Sequence, residues 1–232
     1  MKNKLKNIFL VGGSSSLGLS IINKINLDEY RIYSTFNKNK ITNKLSSKII
    51  QIKIDLSNNL KLEKLLHKIT FDFDVILFLQ GELNGKPLKK FNTKEIIRNL
   101  DINFTSQSII LKHLIKKQKK NCLVIFVSSI SAVKGSYDPI YAASKGATLS
   151  LIKSLSKSEA PKLKFVGVLP GTIDNTKMYM TLPIKKRKLL VSQIPNKELL
   201  NSDDLANILI DLIKPHWRHA NGSIININGG LY

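Results

Sequence analysis

Tyr141 and Lys145, four apart in SYDPIYAASKGA, are residue types that can do chemistry together. On a helix that spacing stacks them on one face. A free phenol has a pKa of about 10 and exchanges protons poorly at neutral pH. An ammonium about 4 Å away, at an effective dielectric of about 20, is worth about 4 kcal/mol. At about 1.36 kcal/mol per unit, the phenol's pKa is expected to fall by up to about 3 units. The pair then forms a general acid/base for alcohol and carbonyl chemistry. A packed tyrosine beside a solvent-reaching lysine gives the same pattern, so the surroundings of the pair decide its meaning. Upstream, at the end of the apolar run CLVIFV, stand Ser128 and Ser129. A hydroxyl there can hold the reacting oxygen.

The elements that must position these residues are written as short apolar runs with helical stretches between them. Strands are expected at 7–11, 30–36, 48–54, 74–79, 122–127, 164–169 and 223–228. VILFL and LVIFV are apolar on both faces, as parallel strands covered by helices require. Helices are expected at 57–69, 101–118, 141–158 and 202–213, the last ended by Pro215. This alternation predicts an α/β fold, a doubly wound parallel sheet of about seven strands with helices on both faces. The 232 residues contain no linker or repeat and read as one domain, 1–232. Ligands of such sheets bind beyond the carboxyl ends of the strands. There the sequence places a Gly/Ser loop after Val11, then Asp55-Leu56, Gln80-Gly81, Ser128-Ser129 and Pro170-Gly171.

The loop FLVGGSSSLGLS fits three phosphate or nucleophile patterns imperfectly. G-x-G-x-x-G would need glycine at Ser14 or Ser15, and a P-loop would need lysine at Leu19. A G-x-S-x-G elbow fails at Ser16. Taken alone, it reads only as strand, tight turn and helix.

With Y-x-x-x-K behind a strand-end Ser-Ser, the chain resembles the short-chain dehydrogenase/reductase family over nearly its entire length, and in particular its bacterial 3-oxoacyl-carrier-protein-reductase-like members. The resemblance implies a Rossmann-like fold and hydride transfer between a nicotinamide dinucleotide and a ketone or secondary alcohol. The family's T-G-x-x-x-G-x-G aligns with Val11 to Gly18. Gly12, Ser14, Ser15, Ser16, Leu17 and Gly18 would thus cradle the pyrophosphate at a helix N-terminus. Val11 and Ser16 depart from the motif, and a Cβ at Ser16 would crowd the phosphate. Asp55-Leu56 matches the pair whose carboxylate binds the adenine amine. N-N-A-G survives only as Gly81 in Phe78-Leu79-Gln80-Gly81. Asn103 matches the asparagine that holds a proton-relay water. Tyr141 is implied as acid/base, and Lys145 as the group that depresses its pKa and binds the nicotinamide ribose. Motif position names Ser129 as the catalytic serine, whereas the commonest spacing to the tyrosine names Ser128; Ser129 is preferred. In VLPGTIDNT, Pro170-Gly171 would turn beneath the nicotinamide, Ile173 would bind its carboxamide, and Asn175 stands at the usual threonine. Relatives pair through the helices at 101–118 and 141–158, which implies a homodimer or homotetramer.

NAD-preferring relatives carry an acid at the end of strand two. Here STFNKNK has none: Phe36 stands there, followed by Asn37 and Lys38, and a 2′-phosphate would be welcomed by Lys38 or Lys40 and by the Ser14 and Ser15 hydroxyls. NADP(H) is therefore the expected cofactor, with NAD(H) second. Substrate choice is expected in a loop at about 175–197, where Met178, Tyr179, Met180 and Leu182 precede KKRK at 185–188. An anionic or carrier-bound carbonyl substrate is one reading of that cluster. The other is a helix with an apolar face of Ile184, Leu189 and Val191 and a solvated basic face. A sugar substrate, or a silent dinucleotide sensor, are the alternatives for the whole chain.

The net charge of +21 comes from 37 basic residues, of which only four are Arg, spread along the chain. Arginine-based base and phosphate readout is therefore not built in, and a dedicated nucleic-acid role is not expected. The four histidines, His67, His113, His216 and His219, lack metal-ligand spacing, so no metal is expected. No apolar run approaches the about 18 residues of a membrane span. The lone Cys122 suits a reducing compartment, and the cytoplasm is the expected location.

Overall fold

The computed structural model describes residues 5–118 and 121–231. All seven expected strands are present: β1 Lys6–Val11, β2 Tyr30–Phe36, β3 Ile49–Lys53, β4 Val75–Phe78, β5 Cys122–Val127, β6 Leu163–Pro170 and β7 Ile224–Ile227. They form one sheet in the order β3-β2-β1-β4-β5-β6-β7, and every pair is parallel. Alternation along the strands splits the core in two. Ile8, Leu10, Val75, Leu77 and Ile125 face α1 (Ser16–Lys24) and α9 (Ser202–Leu212). Phe9, Val11, Ile76, Phe78 and Phe126 face α2 (Asn59–Leu66), α4 (Ser106–Lys117) and α6 (Pro139–Ser158).

The helices differ from expectation where capping overrides apolar periodicity. The stretch expected at 101–118 begins about two turns earlier, as α3 (Thr93–Leu100), because Asn92 and Glu95 form a capping box. A π-turn at Asp101–Thr105 then joins α3 to α4. The helix expected from 57 starts at Asn59, since Ser57 is drawn into a turn by Asp55 and Asn58 supplies the cap. The helix expected from 141 starts at Pro139, capped by Asp138. Between α5 (Ser131–Lys134) and α9 lie α6, the short α7 (Lys177–Met180) and α8 (Ile184–Gln193). The expected apolar face of α8 is not buried within the chain, for Ile184 is 70% and Leu189 58% exposed. Cys122 is buried, and Trp217 donates its indole N–H to Asp211. Among the described residues no helix is long and apolar enough to cross a membrane.

Candidate active site

Strand order reverses between β1 and β4, so the loops leaving them diverge and open a crevice. A cavity of about 800 Å³ occupies it. Its lining comes from Gly12, Ser14 and Ser15 after β1, Phe36 and Asn37 after β2, Asp55 and Leu56 after β3, and Gln80 to Gly85 after β4. Arg98, Ile102 and residues of the α7–α8 segment complete it.

The glycine turn is closely built. Gly12 has φ +86°, a conformation costly for a residue with a Cβ, and its N–H donates to Thr35 Oγ1 at 2.8 Å. Ser15 caps α1 by accepting from the Gly18 N–H, and Ser16 and Leu17 open the helix. The first turn of α1 carries no acidic side chain to compete with an anion. This open, acid-free helix start at the crevice fits a dinucleotide phosphate. Asp55 lines the cavity, but its Oδ1 already accepts from the N–H and hydroxyl of Ser57. Burial alone would raise its pKa; the Ser57 bonds, with Arg98 and Lys61, hold it below the ordinary value.

Asn103, Ser129, Tyr141 and Lys145 are not on this lining; Asn103 and Lys145 lie behind it, bonded to Glu82 and Gln80 of the loop after β4. Asn103 stands in the π-turn, fully buried. Its Oδ1 accepts from the Glu82 N–H at 2.8 Å, and its Nδ2 donates to Glu82 O, Asn99 Oδ1 and Ser144 Oγ. Asn103 thus pins the loop after β4 to α6. The two serines point to different partners. Ser128 donates its hydroxyl to the main-chain carbonyl of Lys145 at 3.0 Å, whereas Ser129 faces the Tyr141 phenol. Lys145 is 2% exposed and donates to Gln80 O at 3.1 Å and Val127 O at 3.0 Å. Gly81 lies over it; a Cβ there would sit 3.6 Å from Nζ.

The expected depression of the Tyr141 pKa is overturned. Burial raises it, the Ser129 side chain offsets this in part, and the charge of Asp138 raises it further. The Lys145 ammonium donates to two carbonyls and lies 5.9 Å from the ring centroid, and its charge is not among the influences that set the phenol's pKa. Burial also pushes Lys145 itself down to about 8.

The structure disperses some expected residues. Lys38 is exposed and absent from the cavity lining, which ends at Asn37. Pro170 closes β6, and Gly171 lines a second cavity of about 370 Å³ beside β7. Ile173 pairs with Leu200 in an isolated bridge. Asn175 is exposed at φ 58°, and the hydroxyl that caps α7 belongs to the next residue, Thr176. Lys186 on the cavity lining belongs to the KKRK cluster, whereas the residues missed from sequence are Thr35, Asp138 and Lys177. Of these only Asp138 carried a signal, an N-cap type before Pro139. Among the described residues no cluster of His, Cys, Asp and Glu could hold a metal.

The short chain dehydrogenase family profile matches residues 6–187. The chain belongs to that family. It is therefore an oxidoreductase acting on CH–OH and C=O groups, and the family binds a nicotinamide dinucleotide. Similar curated proteins include a 3-oxoacyl-(acyl-carrier-protein) reductase FabG of Buchnera aphidicola, 26% identical over all of this chain and 99% of that protein. An L-rhamnose 1-dehydrogenase (NAD(P)(+)) of Azotobacter vinelandii is 34% identical over 50% of this chain and 47% of that protein. A short-chain dehydrogenase/reductase structure from Brucella melitensis superposes with a TM-score of 0.86 at 24% identity, covering 100% and 99% of the two chains.

The buried lysine of this short-chain dehydrogenase has a measurable signature. Its pKa falls from 10.5 unfolded to about 8 folded, so between those values the unfolded chain binds more protons. Stability contributed by this group rises with pH across that window, by up to about 3 kcal/mol. Lys145→Met is expected to remove that pH-dependent component, read as the difference between urea-unfolding free energies at pH 7.5 and pH 10. An unchanged difference in the variant would contradict the assignment.

Proposed function

We propose that this short-chain dehydrogenase is an NADP(H)-dependent reductase of 3-oxoacyl thioesters or similar chain-borne ketones. One observation carries the chemistry: Tyr141, Ser129 and Lys145 are buried together, and Lys145 is bonded to Gln80 at the start of the loop that lines the cavity. The bound cofactor would supply a hydride. Tyr141 donates the proton to the carbonyl oxygen, and its raised pKa keeps the phenol protonated at neutral pH, the form a donor needs. Ser129 holds that oxygen by a hydrogen bond. Lys145 would bind the nicotinamide ribose, and Asn103 orders the surrounding backbone.

Gly12, Ser14, Ser15, Ser16, Leu17 and Gly18 would hold the pyrophosphate, Asp55 and Leu56 the adenine, and Pro170, Gly171, Ile173 and Asn175 the nicotinamide end. The preference for NADP(H) rests on the absence of a carboxylate at the end of β2, where Asn37 lines the cavity and exposed Lys38 follows. NADPH is expected to bind at least about ten-fold more tightly than NADH, as one charge-assisted contact to the extra phosphate supplies. Asn37→Asp should erase or reverse that ratio in a fluorescence titration; tighter NADH binding by the unaltered protein would reject the preference.

The substrate end of the cavity supports an amphipathic ligand. Met178, Leu182, Leu83 and Ile102 give an apolar wall, and Lys177 and Lys186 stand on the same lining. Arg187 is otherwise engaged, donating to the carbonyls of Leu182 and Met180 and thereby holding α7 against α8. The FabG relative's name makes a carrier-bound thioester the first substrate to try. NADPH oxidation with 3-oxoacyl thioesters of increasing length, beside simple diketones and sugars, tests the reading. Turnover of sugars alone would overturn the substrate class. Assembly as a homodimer or homotetramer through α4 and α6 belongs to the same proposal.

A further inference from the structure

Asp138 is buried to 1% exposure and makes no ion pair among the described residues. Its carboxylate instead accepts three main-chain N–H groups. Oδ1 takes Tyr141 N at 3.0 Å, which caps α6. Oδ2 takes Asn84 N at 2.8 Å and Gly85 N at 2.9 Å, from the loop after β4 that lines the cavity. A helix cap needs only the first of these bonds. The other two reach 53 and 54 residues back along the chain. A buried carboxylate is costly unless its oxygens are satisfied, and here main-chain donors from two elements satisfy both.

The same loop has two further pins. Asn99 Nδ2 donates to Glu82 O and Asn84 Oδ1, and Asn103 holds both the N–H and the carbonyl of Glu82. Both asparagines come from the α3 and π-turn side, so among the described residues Asp138 alone bonds the Asn84–Gly85 end of the loop directly to the helix that carries Tyr141 and Lys145.

We propose that Asp138 is a positioning residue that latches the Asn84–Gly85 wall of the cavity to the first turn of the Tyr141 helix and sets its negative charge beside the phenol. The second part rests on Tyr141 being the proton donor; the latch itself does not. The charged groups on the elements around the phenol are Lys145 on α6, Asp138 at its start, and Glu82 paired with Arg98 beside the loop. Asp138 is the one whose charge disfavours the phenolate. Removing it lowers the pH above which proton donation fails.

Asp138→Ser separates the roles, because serine still caps a helix but is too short to reach Asn84 and Gly85. Hydrogen exchange of the Asn84 and Gly85 amides is expected to quicken about ten-fold or more in this variant, while exchange in the core strands stays unchanged. The alkaline limb of the pH–kcat profile for NADPH-dependent reduction is expected to move to lower pH. Wild-type exchange at both amides would overturn the latch, and an unmoved limb would overturn the electrostatic part. Asp138→Asn is the second variant should the serine variant not fold. It keeps the size, but its amide nitrogen must face an N–H on one side, so the same two readouts apply. If Tyr141→Phe retains activity, the limb loses its meaning and the exchange result still decides the latch.

Discussion

Replacing Tyr141 by phenylalanine is expected to reduce kcat by about 10³-fold, within the about 10²–10⁴-fold that a positioned general acid contributes. Dinucleotide affinity should stay within about three-fold of wild type, and the fold should be intact. The phenol is 7% exposed, and neither its backbone bond to Asp138 nor its ring contacts depend on the hydroxyl. A neighbouring Ser129→Ala should cost less, since it removes a hydrogen bond to the reacting oxygen and leaves the proton donor in place. Stopped-flow NADPH oxidation with an active 3-oxo substrate reads both. Equal turnover by Tyr141→Phe and wild type would remove the phenol from the chemistry.

Adding one methyl group at Gly18 should be nearly as damaging by a purely steric route. A Cβ there would lie 2.3 Å from the Gly13 carbonyl oxygen and 2.5 Å from its Cα. Both atoms are backbone, so neither can swing aside, and the start of α1 must lift off the turn. Overpacking of this kind costs about 3 kcal/mol. In a chain of this size that lowers Tm by about 10 °C. Dinucleotide binding should weaken by about 100-fold, because the N–H groups at the helix start lose their aim. Gly13→Ala is the control: its Cβ would meet the Ser34 side chain at 2.2 Å, and Gly13→Ala with Ser34→Gly should recover much of the loss. A melting curve and a cofactor titration on the three variants check this; a Gly18→Ala protein with wild-type Tm would contradict the geometry.

The sheet was legible because buried parallel strands must be written as apolar runs, and CLVIFV and VILFL have no other use in a chain this polar. The Tyr141–Lys145 spacing was legible for a similar reason, since helical period converts four residues into one face. What escaped was whatever depends on residues distant in the chain. Asp138 looks like an N-cap, and nothing local announces its bonds to Asn84 and Gly85. The phenol's pKa was misjudged in sign because spacing reports that a lysine is near, not that Gln80 and Val127 have claimed its protons. Desolvation, which decides the sign, is a property of the packed core alone. After β6, where the resemblance put Asn175 at the usual threonine, nothing local announced that Asn175 would take up a left-handed turn and that the neighbouring Thr176 would cap α7.

The wide turn at Asp101–Thr105 acts as a phase shifter within one long rod. Asn99 before it and Asn103 within it are aimed at the loop after β4; downstream, Ile110, Leu111 and Leu114 are aimed at the sheet. An uninterrupted α-helix advances 100° per residue, so it could satisfy one of these targets and would miss the other by about that angle. Deleting one residue between 101 and 105 would restore regular winding and remove the same arc that the wide turn absorbs, so the downstream leucines would keep their aim at the core. What such a shortening would forfeit is the placement of Asn103, whose bonds to Glu82, Asn99 and Ser144 depend on the widened turn.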